Sequence, residues 1–254
     1  AGFQVETVSI EGGAGARAKR ALELADSRLV EGVLSLASLD DHQLQTSGQD
    51  DVPILIEEVY DDELNGIGVL LDASPIVAIM EKLAELGHRN FFHVGGPADH
   101  PAAVMRKKAY QETIDRLGLI SAGLYQGDWS GESGEKAVAS LDSAAGVTAF
   151  ICTNDELAAG TIKAAIARGW RVPDDVSVTG WDNVPVGRYL PPGLTTVQVE
   201  HDLIGQRAMR RLINAIRKEP GPDEFELTSL NKVLWRGSTA SPPLRASIEV
   251  TESI

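Results

Sequence analysis

Short apolar runs alternate with longer amphipathic stretches along most of this 254-residue chain. Residues 3–10 read as a strand, followed by a glycine-rich turn and a helical stretch near 16–26. Runs at 32–36, 53–56 and 67–71 also read as strands. Over 75–86 the periodicity predicts a helix: Ile76, Ile79, Met80, Leu83 and Leu86 share one face, and Gly87 stands where a C-terminal cap belongs. From there the alternation sharpens. Strands at 90–94, 122–126, 147–152 and 176–179 interleave with helices at 102–117, 132–141 and 155–168, before a helix at 203–218 and a late strand at 232–235. Short strands alternating with helices specify a parallel sheet covered on both faces. About ten strands in 254 residues suit two doubly wound sheets better than one. The turn Gly95-Gly96-Pro97 and the stretch from Pro191-Pro192-Gly193 to Thr196 are candidate crossings between them. A chain that crosses more than once forms a hinged, two-lobed molecule with a cleft.

Composition narrows the class. Hydrophobic residues at 43% and charged residues at 24% describe an ordinary globular chain. Lys and Arg number 23 against 37 Asp and Glu, a net charge of −14, which argues against this polypeptide gripping a phosphate backbone by itself. No apolar run approaches the roughly 18–20 residues that a membrane span needs. Cys152 is the single cysteine, so an intrachain disulfide and a multi-cysteine metal site are both excluded. The opening residues show no charged and apolar leader pattern.

In open parallel sheets ligands bind beyond the carboxyl ends of the strands. There the sequence places Gly95 to Asp99, Gly127-Asp128-Trp129-Ser130, Thr153-Asn154-Asp155, and Gly180 followed by Trp181-Asp182-Asn183. Asn and Asp offer directional hydrogen bonds and Trp a flat apolar face, a combination suited to a small polyhydroxylated ligand. The competing reading for Thr153 or Asn154 is an ordinary helix N-cap. Residues Gly13-Ala14-Gly15-Ala16-Arg17-Ala18 fit the dinucleotide fingerprint G-x-G-x-x-A, but no acidic residue ends the next strand about 20 residues on. His42, His88, His93, His100 and His201 lack metal-ligand spacing, and no G-x-S-x-G elbow occurs. Cys152 closes an apolar strand and reads as core packing, and nothing assembles a catalytic acid and base.

The run from Arg171 to Pro185, R-V-P-D-D-V-S-V-T-G-W-D-N-V-P, with Leu194-Thr195-Thr196-Val197 after it, resembles the effector-binding domain of LacI/GalR-type bacterial transcription regulators. Further matches run in order: Leu86-Gly87-His88-Arg89, Gly95-Gly96-Pro97, Arg106-Lys107-Lys108-Ala109-Tyr110, Gly127 to Ser130 with Ser133-Gly134, Thr153-Asn154-Asp155, and Arg236-Gly237-Ser238-Thr239. Together they cover essentially residues 1–240; each motif alone is weak, and the ordered set is specific.

The resemblance implies a type I periplasmic-binding-protein-like fold: two Rossmann-like α/β lobes with doubly wound parallel sheets, joined by three crossings and closing on an effector. The expected division is residues 1–95 completed by 199–221, and 96–198 completed by 222–254. Carried over position by position, Arg106, Asn154 and Asp182 match the family's polar ligand contacts, and Trp129 the aromatic position that packs on a sugar ring. Asp72 or Ser74 supplies the first-lobe contact, in a stretch that lacks the usual D-N-x-x-G, and His201 falls where some members place an aromatic ring. Ala109 replaces a usual glycine in R-x-x-G-Y. The family opens with a helix-turn-helix headpiece and a first strand. The present chain reads as starting at the second strand, so it is expected to be a piece of a longer protein. The resemblance further implies a cytoplasmic, homodimeric sensor core. It would bind a small sugar, galactoside-like in preference and with a purine as the alternative effector, and reach operator DNA through the headpiece, with no catalysis, cofactor, metal or membrane. The rivals are an extracytoplasmic solute-binding protein of a transporter, which shares the fold, and a nucleotide-dependent enzyme.

Overall fold

The computed structural model describes residues 2–37, 39–46, 52–60, 72–142, 145–220 and 231–243. The expected strand at 67–71 lies outside them. The chain divides into two compact units, Ala1–Asp72 with Glu200–Leu230 and Ala73–Val199 with Asn231–Ile254.

The first unit holds helix α1 (Ala14–Asp26), strand β1 (Val33–Ala37), the short helix α2 (Asp41–Thr46), strand β2 (Ile54–Tyr60) and helix α7 (His201–Arg217). β1 and β2 pair in parallel, Val33 opposite Ile54 and Leu34 opposite Leu55. Ala18 and Ala21 of α1 and Leu39 form a small core, on which Val33, Leu44, Ile54 and Ile56 pack. α7 runs so close to β1 that a Cβ at Gly32 would lie 2.9 Å from Leu212 Cδ1. Residues 3–10 are not a strand: they run without a ladder partner. Apolar alternation there fits an extended chain, but strand character comes from a neighbour, and β1 pairs with β2 instead. The Gly13–Ala18 fingerprint thereby loses the preceding strand that a dinucleotide site requires.

The second unit is built on a four-stranded parallel sheet, ordered β4 (Ile120–Gln126), β3 (Asn90–Gly95), β5 (Ala149–Cys152), β6 (Ser177–Thr179). Alternation along β3 sends Phe92 and Val94 to one face, where they join Phe150, Cys152 and Val178. Helices α5 (Gly131–Ala139) and α6 (Asp155–Ala167) cover that face through Ala137, Val138, Leu157, Ala158 and Ile162. On the other face His93 stacks on Tyr110 of α4 (Pro101–Leu117), with ring centroids 4.9 Å apart. The Tyr110 hydroxyl donates to Phe91 O at 3.1 Å. Helix α3 (Ser74–Glu85) buries Ile76, Ile79, Met80 and Leu83, the stripe expected from the sequence, and Gly87 follows it at φ +108°. β7 (Thr196–Val199) and β8 (Asn231–Leu234) pair antiparallel, and Thr195 bridges to Thr179.

The expected boundaries shift. The chain passes between units at 72/73, 199/200 and 230/231, not at 95/96, 198/199 and 221/222. β3 cannot end the first unit because it is hydrogen-bonded between β4 and β5, and α3 packs with α4 and β8. The Pro191 to Gly193 stretch is no crossing either: Gly193 O accepts from Ser238 N at 3.0 Å, inside the second unit.

Candidate functional site

The carboxyl ends of β3, β5 and β6 converge on a cluster built around Arg106. Arg106 is 7% exposed, so it is no solvated helix residue. Nη1 donates to Thr153 O at 2.5 Å, just past β5. Its Cζ lies 4.0 Å from the ring centroid of Trp181 and 5.9 Å from that of Trp129. A desolvated cation against aromatic faces gains cation–π attraction and is pinned in orientation. Trp181 itself is buried and follows β6.

Trp129 is half-buried and stands at φ +72°, a left-handed backbone unusual for a non-glycine residue. Its neighbours enforce this. Asp128 Oδ1 accepts from Ser130 N at 3.1 Å, from the Ser130 hydroxyl at 2.5 Å and from the Ser133 hydroxyl at 2.6 Å. These donors hold the Asp128 carboxyl well below the usual carboxylate range. The indole lies flat over Gly96, where a Cβ would meet it at 2.5 Å. The His100 ring meets it edge-on at 5.2 Å. Burial, and then Arg106, lower the His100 pKa.

Asn154 does what the capping alternative expected. Its Oδ1 accepts from Leu157 N at 2.8 Å at the start of α6, while Nδ2 donates to Trp129 O at 2.9 Å. One side chain both caps a helix and ties down the aromatic loop.

Asp182 follows Trp181 in a turn whose residues 182 and 183 stand at φ +102° and +52°. Strain of this kind costs about 1–3 kcal/mol per residue and persists only where surroundings enforce it. Asp182 N donates to Val197 O at 2.9 Å and Val184 N to Asp155 Oδ2 at 2.7 Å. Arg236 Nη2 donates to Asn183 Oδ1 at 2.6 Å and Nη1 to Leu194 O at 2.9 Å. Asp155 was named in the sequence only as part of a motif. It is 2% exposed, and burial pushes its carboxyl up to about 6 against hydrogen bonds from Thr196 and Val184. Its signal was present, an acidic residue directly after an N-cap, but that pattern is common to helix starts.

The remaining expected residues do not join this cluster in the second unit. Asp72 is half-buried and His201 exposed, both in the first unit. Ser74 is exposed at the first turn of α3. With Val77, Met105, Lys108, Ala109 and Thr113 it lines a groove of about 370 Å³. Cys152 is buried and its thiol is pushed up to about 12 by burial, which makes it an unreactive core residue. Among the described residues no group of three or more His, Cys, Asp or Glu could hold a metal ion. No helix among them is long and apolar enough to cross a membrane.

A family model described as a periplasmic binding protein-like domain matches residues 80–239. The HTH-type transcriptional repressor PurR of Escherichia coli O1:K1 / APEC is 32% identical over 167 residues, covering 64% of this chain and 48% of the repressor. The lactose operon repressor of Klebsiella pneumoniae is 34% identical over 54% of this chain and 39% of its own length. The repressor CytR of Escherichia coli K12 is 27% identical over 89% of this chain and 67% of its own length. The chain spans about half the length of the curated relatives it matches, 48% in the case of PurR. Among solved structures, the Escherichia coli transcriptional repressor ascG superposes with a TM-score of 0.75 at 20% identity, over 87% of this chain and 83% of that one. The dimeric lac repressor with an 11-residue C-terminal deletion gives 0.71 at 23% identity, over 92% and 86%. The chain belongs to the periplasmic binding protein-like domain family, and within it resembles the effector domains of LacI/GalR-type regulators.

Proposed function

We propose that this chain is the effector-sensing core of a DNA-binding transcriptional regulator and that its effector is a small sugar, galactoside-like in shape. The observation that carries this is the cluster of Arg106, Trp129 and Trp181 beside Asp182 at the carboxyl end of the second unit's sheet. A half-buried indole offers the apolar face of a pyranose a flat partner, while the guanidinium donates and a carboxylate accepts from hydroxyls. Asn154 serves the ligand through Trp129, whose backbone it holds. Following the resemblance, Asp72 of the first unit, in preference to Ser74 in its separate groove, and His201 are proposed as the further contacts. Binding, not catalysis, is the function. The effector acts through its differential affinity for two states of the regulator, and a headpiece carried elsewhere in the protein reads the operator as a homodimer in the cytoplasm. Repressors such as PurR and the lactose operon repressor support the regulatory class.

The test is a thermal-shift screen of sugars and purines against wild type and Trp129→Ala. Saturation at about 100 times Kd stabilises a protein by about 2.7 kcal/mol, so a galactoside that binds raises Tm by about 5 °C or more. Trp129→Ala should abolish that rise. A purine that shifts Tm where no sugar does replaces the sugar; a sugar response untouched by Trp129→Ala removes the stacking assignment.

A further inference from the structure

The turn that carries Asp182 has a backbone its own residues would not choose, with two successive non-glycine positions on the left-handed side. Something outside the turn must hold it. Three of its backbone amides, those of Asp182, Asn183 and Val184, donate to Val197 O, Thr196 Oγ1 and Asp155 Oδ2. The two side-chain acceptors are themselves joined: Thr196 Oγ1 on β7 donates to Asp155 Oδ1 at 2.5 Å. The packing is close on the side of Gly180, where a side chain would run into Asp155 Oδ1. Asp155 therefore joins the start of α6, strand β7 and the Val184 end of the turn that displays Asp182.

We propose that Asp155 is a positioning residue for Asp182, fixing the Trp181–Val184 turn in the conformation that presents the Asp182 carboxylate at the site. The inference rests on the effector reading for its consequence, though not for its geometry.

A carboxyl in this position makes the grip depend on protons. The charged groups around it are Asp182 from the turn after β6 and Arg236 after β8; the Cys152 thiol at the end of β5 stays neutral. Arg106 of α4 donates to Thr153, two residues before it. Burial is the largest influence and raises the Asp155 pKa to about 6 from 3.8, against the hydrogen bonds from Thr196 and Val184; Asp182 adds to the rise and Arg236 opposes it. Opening the turn admits water to Asp155 and returns it towards its ordinary value. The closed turn thus binds the proton more tightly than the open one, and it tightens as pH falls through about 6.

Amide hydrogen exchange on the ligand-free chain decides this. The protection of Val184 should rise about ten-fold between about pH 7 and about pH 5 in wild type, relative to Val178 of β6, whose amide donates to Ser238 O. Asp155→Asn should remove the pH step. Asp155→Ala should lower protection of Asp182 and Val184 about ten-fold or more while Val178 keeps its own. Should Asp155→Ala fail to fold, the wild-type series and Asp155→Asn suffice. Val184 protection that is flat with pH in wild type, or unchanged in Asp155→Ala, overturns the proposal. A second measurement uses methyl β-galactopyranoside. Weaker binding to Asp155→Ala than to wild type is expected, and equal affinity overturns the positioning role. If the galactoside binds neither protein, the sugar reading falls while Val184 protection still decides for or against Asp155.

Discussion

His93 sits in the centre of the second unit's sheet, fully buried, with neither ring nitrogen bonded to any of the described residues. Burial, and secondarily Lys107, lowers its pKa to about 3, so the ring stays neutral in the fold. The unfolded chain takes up a proton near pH 6.5 and the folded chain does not, so His93 costs about 2 kcal/mol of stability as pH falls from about 7.5 to about 5. Asp155 runs the other way: its raised pKa favours the fold at low pH and that contribution is lost as pH rises through about 6. Denaturant unfolding of wild type, His93→Leu and Asp155→Asn across this range separates them. His93→Leu should flatten the acid loss and leave stability near neutral pH within about 1 kcal/mol, because it trades an unsatisfied imidazole for an apolar side chain. A His93→Leu curve parallel to wild type would show that the ring is protonated in the fold. At this scale the sequence was informative about residue type and silent about environment. Motif positions nominate Arg106, Trp129 and Asp182 as proposed contacts, whereas the role proposed for Asp155 depends on Thr196, 41 residues away.

Helices α5 and α6 illustrate what an element adds. Gly160 faces Gly131 so closely that a Cβ at 160 would overlap the Gly131 carbonyl oxygen, and one at Gly134 would overlap that of Leu157. Two backbones in contact bring the Asp128-Trp129-Ser130 turn, which leads into α5, beside the start of α6, where Asn154 reaches Trp129 O. In an isolated helix Gly160→Ala would gain about 1 kcal/mol of propensity. Here the clash is with backbone that cannot rotate away, and overpacking of that kind costs about 1–3 kcal/mol or more. The expected outcome is net destabilisation, with Trp129 displaced, read as a lower urea midpoint and a changed tryptophan emission. A more stable Gly160→Ala would mean that the helices part without cost. Helix α3, its apolar stripe and the left-handed Gly87 after it were legible to within a residue or so, because periodicity and caps are local. Helix α2 was not anticipated; at six residues it is too short to show a period.

For the whole molecule, the net charge of −14 belongs to a chain in which Arg106 is held inside the second unit and several other cations pair locally at the surface, as Arg171 does with Asp175 at 2.8 Å. That distribution suits the proposed sensor core. The proposed homodimer has a direct check in sedimentation velocity. At micromolar concentration the 254-residue chain should sediment as a dimer, and a monomer at all concentrations would place the dimer contacts outside this chain.

By itself the sequence determined the alternation of strands and helices, the α/β class and most element positions, because these depend on local periodicity and turn chemistry. An ordered set of short motifs also carried the family resemblance. Only the tertiary structure decided which strand pairs with which. Among the described residues it left 3–10 without a ladder partner and drew β3 into the second unit's sheet, since ladder hydrogen bonds join segments far apart in the chain. It likewise decided that a buried carboxylate would hold the strained turn at Asp182. Burial and distant donors set that behaviour, and neither is written in the residues on either side of Asp155.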